Sequence, residues 1–341
     1  MIELQTFSGD IKLIKVTAQE DFIVTLCSFG ASIYDIQTKD IAGNINSITP
    51  HPADFDDFLS SRKFYGKTLG RIAGRIKNGR LVVYEKRYQL RQNENNNTLH
   101  GGPDSLSFRN FSTKIEENSD VLNVIFTYFS PDQEEGFPGN LDLKITYSIY
   151  IKLKKIVITY LAMTDNWTVF NPSNHVYFNL NSDHEENILN HQLFLNASRV
   201  SLLEEDLCIH GFREVNRIFD FRIPKLIGQD IDDSSLQNHK AWGYDHTWLI
   251  DKFDMQTNAA LLISKESGRM LKIKTDLPAL NMYSGNYPVN DLLLNRGGYL
   301  YRYQALALEP QLIPNDINNW IIEKDKPFLG HICYEFSLTT D

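Results

Sequence analysis

Cysteine is scarce in this chain. Three stand among 341 residues, Cys27, Cys208 and Cys333, with no C-x-x-C spacing. An odd, sparse set excludes a disulfide framework and points to free thiols in a reducing compartment. Positive charge is also in deficit. Lys and Arg number 34 against 43 Asp and Glu, for a net charge of −9. A nucleic-acid binder needs a basic face, and an anionic membrane attracts basic segments, so neither is an expected partner. No apolar run approaches a membrane span. The opening M-I-E-L-Q-T-F-S-G-D has neither the basic nor the apolar region of a signal peptide. A cytoplasmic location is expected, and the sequons at Asn110, Asn166 and Asn196 read as chance matches.

Familiar site signatures are missing as well. Nine histidines include no H-x-H and no H-E-x-x-H, so no metal is expected. His184 and His191 lie among acidic and Asn residues and read as a solvated loop. No Gly-rich dinucleotide motif follows a strand, and no G-x-S-x-G elbow is present. The G-K-T at 66–68 has Ser61 where a phosphate loop needs its first glycine. Helical periodicity is rare: residues 53–60 predict a short helix and 290–294 a single helical turn.

What remains is alternation. Leu141, Leu143, Ile145, Tyr147 and Ile149 alternate with polar residues, as do Leu122, Val124, Phe126 and Tyr128. Such a period of two marks half-buried strands. Residues 261–264 and 270–275 predict a hairpin around Ser267–Gly268. Asn78–Gly79 predicts a turn into strands at 81–84 and 88–90, and the Asn-rich run 93–97 a loop. No Pro/Gly/Ser linker divides the chain. The expected fold is all-β, a large antiparallel β-sandwich with few short helices, as one domain over residues 1–341.

Five polar clusters sit inside this apolar pattern. Glu309 stands in the strand-like L-A-L-E-P-Q at 306–311, where burying a carboxylate is costly without partners. N-T-L-H-G-G at 97–102 sets His100 before two turn-forming glycines; the histidine either faces a cleft or caps the turn. N-H-V-Y-F-N-L at 174–180 places His175 and Tyr177 on one strand face, suited to stacking on a sugar or to core packing. In G-Y-D-H-T-W at 243–248 only one of Asp245 and His246 can enter a site. G-R-I-A-G-R-I-K-N-G-R at 70–80 puts Arg71 and Arg75 four apart. On a strand they would share a face and could donate to substrate oxygens, or they are surface charge.

Taken in order, these clusters, with Y-S-G-N at 283–286 and L-E-P-Q at 308–311, resemble the aldose 1-epimerase family, the galactose mutarotases. The likeness runs from Phe64 to Gln311. It implies a mutarotase-type β-sandwich and an isomerase that needs no cofactor. The substrate would be a free monosaccharide such as galactose or glucose. Glu309 would be the base and His175 the acid; Arg75, His100, Asp245, Asn281 and Tyr177 would bind sugar. Ionised Glu309 would take the C1 hydroxyl proton while protonated His175 donates to the ring oxygen, opening and reclosing the ring. Gly74 stands where many members carry Asn, and Asn281 where some carry Gln, which bears on sugar preference. A homodimer is compatible with this reading. One rival is a hexose-6-phosphate 1-epimerase on the same fold, disfavoured because L-H-G-G and N-H-x-Y-F-N-L resemble the unphosphorylated-sugar branch. The other is a sugar-binding or sensor module without catalysis.

Overall fold

The alternating stretches form strands whose apolar faces meet in one core. Along Leu141–Tyr150 every odd-numbered residue is buried while Asp142 and Lys144 are exposed, the outcome of a pleated strand with one face inward. The computed structural model describes residues 1–237 and 240–339. It contains a nine-stranded antiparallel sheet in the order Ser112–Glu117, Val121–Ser130, Leu141–Tyr150, Lys155–Met163, Phe328–Leu338, Arg269–Thr275, Ala260–Ile263, Gln192–Leu195 and Lys225–Leu226. A six-stranded sheet runs Tyr177–Phe178, Leu306–Gln311, Ala279–Tyr283, Asp245–Ile250, Ala197–Leu203 and Ile209–Glu214. Five consecutive N-terminal strands, from Ile2–Thr6 to Ile45–Ser47, make a third sheet. Ile145 and Tyr334 of the first sheet, Trp248, Leu280 and Leu308 of the second, and Val24 and Ile36 of the third share one buried cluster. The fold is all-β and sandwich-like, as expected.

The expected hairpin at 267–268 joins Ala260–Ile263 to Arg269–Thr275, and the Asn78–Gly79 turn leads into the Arg80–Val83 and Lys86–Gln89 hairpin. The short helix is Phe55–Ser60, N-capped by the Asp54 carboxylate, which accepts from the Asp57 N–H at 3.0 Å.

Three expectations fail. Residues 290–294 do not form a helical turn: Val289–Leu293 is a strand paired with Tyr299–Leu300. Gly297 and Gly298, both at positive φ, supply the reversal that local spacing did not reveal. His191 is not in a solvated loop. The 3₁₀ turn Ile188–Asn190 folds it inward to full burial, where its Nε2 accepts from the Leu180 N–H at 2.9 Å. Arg71 and Arg75 do not share a strand face, because the chain between Thr68–Leu69 and Arg75–Ile76 is not a strand. Arg71 turns into the protein, where it donates to the carbonyls of Ser130, Pro131, Pro138 and Gly139 and to the hydroxyls of Ser130 and Thr168.

Candidate active site

One face of the six-stranded sheet carries most of the polar residues singled out above. Side chains alternate along a strand, so Leu306 and Leu308 enter the core while Glu309 and Gln311 face a cavity of about 430 Å³. The same parity holds on the neighbours. Asp245 and Thr247 line the cavity while Trp248 is in the core; Asn281 and Tyr283 line it while Leu280 and Met282 are in the core. Strand register then sets the residues in rows. Thr247 is opposite Asn281, and Asn281 opposite Glu309. Asp245 is opposite Tyr283, Tyr283 opposite Ala307, and Ala307 opposite Tyr177.

The far wall comes from the segment before the sandwich. Arg75–Ile76 pairs with Thr98–Leu99, which brings Gly74, Arg75 and His100 to the rim together. The His100 N–H donates to the Gly74 carbonyl at 3.0 Å, and the Gly74 N–H donates to His100 Nδ1 at 3.2 Å. His175 lies between two short strands. Its N–H donates to the Lys67 carbonyl, and its carbonyl accepts from the Gly66 N–H, both at 2.9 Å. Lys67 itself is fully buried among Phe29, Phe58 and Phe108, so the G-K-T stretch is a backbone support for the histidine.

All seven residues expected at a site, Glu309, His175, Arg75, His100, Asp245, Asn281 and Tyr177, line this one cavity. The carboxyl of Glu309 and the ring of His175 face each other at 3.7 Å, Oε1 to Nε2, with both side chains almost wholly buried. The separation exceeds a hydrogen bond, as is common before substrate draws catalytic groups in. The His100 ring meets the His175 ring edge-on at 5.4 Å, and the Tyr177 ring lies 4.8 Å from that of His175.

Burial sets the charge states, and they differ from the expected ionised Glu and protonated His. Desolvation pushes Glu309 up to about 8; the Asn281 hydrogen bond opposes the rise, Asp245 adds to it and Arg75 opposes it. Desolvation pulls His175 down to about 4, with the nearby Lys63 charge a lesser cause. Near neutral pH the sugar-free pair therefore holds its one proton on the carboxyl. Desolvation, His175 and Arg75 together hold His100 well below the ordinary imidazole range. Its Nδ1 already accepts a backbone hydrogen bond, so the neutral ring carries its proton on Nε2 and acts as a donor.

One atom each from His100, His175 and Glu309 lies within 4.8 Å of the others, a spacing open to a divalent ion. The donor chemistry opposes it. His100 Nδ1 accepts the Gly74 N–H, which leaves the proton on Nε2, and Glu309 holds a proton near neutral pH.

Several site residues were not foreseen. Glu94, from the Asn-rich loop, accepts from Arg75 Nε at 2.6 Å and Nη2 at 2.9 Å, while Asp245 accepts from Arg75 Nη1 at 3.3 Å. Burial works against the Arg75 charge, yet Asp245 and Glu94 more than offset it and hold its pKa above the ordinary value. Phe64 packs on His100 at 4.8 Å and on His175 at 6.0 Å. Thr247 donates its hydroxyl to Asn281 Oδ1 at 3.0 Å, and Asn281 Nδ2 donates to Glu309 Oε1 at 3.2 Å. Parity was the available signal for Thr247, which stands two residues after Asp245. Nothing local marked Glu94.

A family profile described as Aldose 1-epimerase matches residues 12–324. The galactose mutarotase of Rattus norvegicus is 30% identical over 321 residues, 93% of this chain and 90% of that one. The aldose 1-epimerase of Escherichia coli strain K12 is 31% identical over 314 residues, 90% of this chain and 88% of that one. The crystal structure of galactose 1-epimerase from Lactobacillus acidophilus NCFM superposes with a TM-score of 0.86 at 26% identity, covering 99% of each chain.

Proposed function

The chain belongs to the aldose 1-epimerase family and is an isomerase of free aldose anomers; we propose that Glu309 and His175 are the pair that moves the protons. The observation that carries this assignment is the approach of Glu309 and His175 to 3.7 Å across one cavity, though they stand 134 positions apart in sequence. Ring opening removes a proton from the C1 hydroxyl and delivers one to the ring oxygen. Ionised Glu309 takes the first and the His175 imidazolium supplies the second. The aldehyde turns about C1–C2, and the pair runs in reverse to close the other anomer.

The charge state needed is a tautomer of the one in the empty pocket. Moving the proton from Glu309 to His175 keeps the pair's proton count at one. Sugar hydroxyls donating to the carboxylate favour that shift, and the ionised carboxylate then stabilises the imidazolium beside it. His100 donates from Nε2, and Arg75 and Asp245 hold ring hydroxyls. Tyr177 closes the apolar side. Arg71 is committed to carbonyls and hydroxyls and Arg75 to two carboxylates, so the arginines of the 70–80 stretch do not form a phosphate cluster. No helix among the described residues is long and apolar enough to cross a membrane, and all three cysteines are free and buried, in keeping with a cytoplasmic enzyme. The shared core supports reading residues 1–341 as one domain.

Glu309→Gln keeps the shape and removes the base. Polarimetry should show turnover falling ~10²–10⁴-fold, with sugar binding retained in calorimetry. Near-parental rates would remove Glu309 from the mechanism.

A further inference from the structure

Gln311 follows Glu309 by two residues on the same strand, so both side chains face the cavity. The strand end is fixed on either side: the Pro310 carbonyl accepts from the Ser173 hydroxyl at 2.8 Å, and the Leu312 N–H donates to Asn171 Oδ1 at 2.8 Å. Gln311 is 2% exposed, yet its Oε1 has no hydrogen-bond partner among the described residues. Its cross-strand neighbour is Ala279, which offers no side-chain donor. A buried acceptor without a donor is costly, and such atoms in native proteins call for a reason.

The reason lies opposite, at Gly74. A Cβ built there would meet one atom within 4 Å, Gln311 Oε1 at 3.9 Å. An amide side chain at that position would stand beside Gln311 Oε1 and could donate to it. Glycine leaves the oxygen free and the space beside it open. A pyranose brings several hydroxyl donors into this cavity, and the anomeric one is taken by Glu309.

We propose that Gln311 is a sugar-contacting, specificity-determining residue, which accepts a hydrogen bond from one non-anomeric hydroxyl of the aldose because Gly74 leaves its amide oxygen unengaged. The proposal rests on the mutarotase reading above. It assigns to this chain a selectivity for aldoses bearing that hydroxyl in the matching configuration. It also makes Gly74 the residue that sets Gln311 free to read it.

The test pairs enzyme variants with deoxy sugars. Parent, Gln311→Leu and Gly74→Asn enzymes are compared by polarimetry on galactose, glucose and their 2-, 3-, 4- and 6-deoxy analogues. Gln311→Leu should lower kcat/KM on the parent sugar by about ten-fold, the scale of one hydrogen bond to a buried acceptor. For one deoxy analogue, whose missing hydroxyl is the one read, that penalty should vanish. Gly74→Asn, at a positive φ that Asn tolerates, should reproduce the pattern without altering Gln311. Should Gln311→Leu fail to fold, Gly74→Asn carries the test alone. A penalty equal across all analogues, or none at all, overturns the proposal while leaving mutarotase activity intact. A parent enzyme inactive on every sugar overturns the functional reading first and this inference with it.

Discussion

Asn281 and Glu309 stand directly opposite each other on adjacent strands, and the Asn281 amide donates to the Glu309 carboxyl at 3.2 Å. The other end of that amide is held by Thr247, the next residue in the row. Asn281, expected against the sugar, thus spends its oxygen on Thr247 and one N–H on Glu309. Its hydrogen bond favours the ionised carboxyl that burial disfavours.

Thr247→Val removes the hydroxyl that fixes this amide. The carboxylate then loses an oriented donor and its pKa rises further. Turnover should fall by a few-fold to about ten-fold, the alkaline edge of the pH profile should move upward, and Thr247→Ser should restore both. An unshifted edge in a less active variant would mean that Thr247 acts only through packing.

The pH dependence follows from the proton count of the pair. Below about 4 both Glu309 and His175 are protonated and no base remains; above about 8 neither is protonated and no acid remains. Between these limits the pair holds one proton, and the productive tautomer is a constant fraction of it. kcat/KM should be level from about pH 4 to about pH 8 and fall on both sides, the two edges belonging to the pair and not to single residues. A steady rise across pH 5 to 7 would contradict the charge states given above.

Glu94→Gln tests the clamp on Arg75. The guanidinium loses a charged acceptor for two of its donors and turns toward Asp245. Sugar binding should weaken, with KM raised about three- to ten-fold and kcat nearly unchanged, measured on galactose or glucose.

Arg71→Met tests the framework. Six acceptors around a residue 2% exposed lose the Arg71 donor; the Pro131 and Pro138 carbonyls keep the Glu134 N–H and the Thr168 hydroxyl, and a buried acceptor left unpaired is costly. The denaturant midpoint should drop by the equivalent of about 3 kcal/mol.

The site was legible in sequence where it obeys strand parity. Glu309 and Asp245 stood out as carboxylates in apolar alternation, and the family pattern joined them to His100 and His175. Thr247 and Gln311 share that parity but are uncharged, so nothing drew attention to them. Glu94 reaches Arg75 through a loop closure that no periodicity encodes. Arg71 looked like a partner of Arg75 because a strand was assumed where the backbone instead turns. The charge states of Glu309 and His175 were misjudged because they follow from burial, a property of the assembled cavity and not of either residue. The strand at Val289–Leu293 was hidden because its partner is fixed by the Gly297–Gly298 reversal beyond it.

The rows across the six-stranded sheet tie correct folding to chemical competence. If the 306–311 segment slipped by one position against 279–283, its two leucines would face the hollow and its carboxyl and amide would enter the oily interior. Such a chain would lose its interior packing and its reactive groups in the same event. A well-folded molecule with this strand shifted by one position is therefore disfavoured.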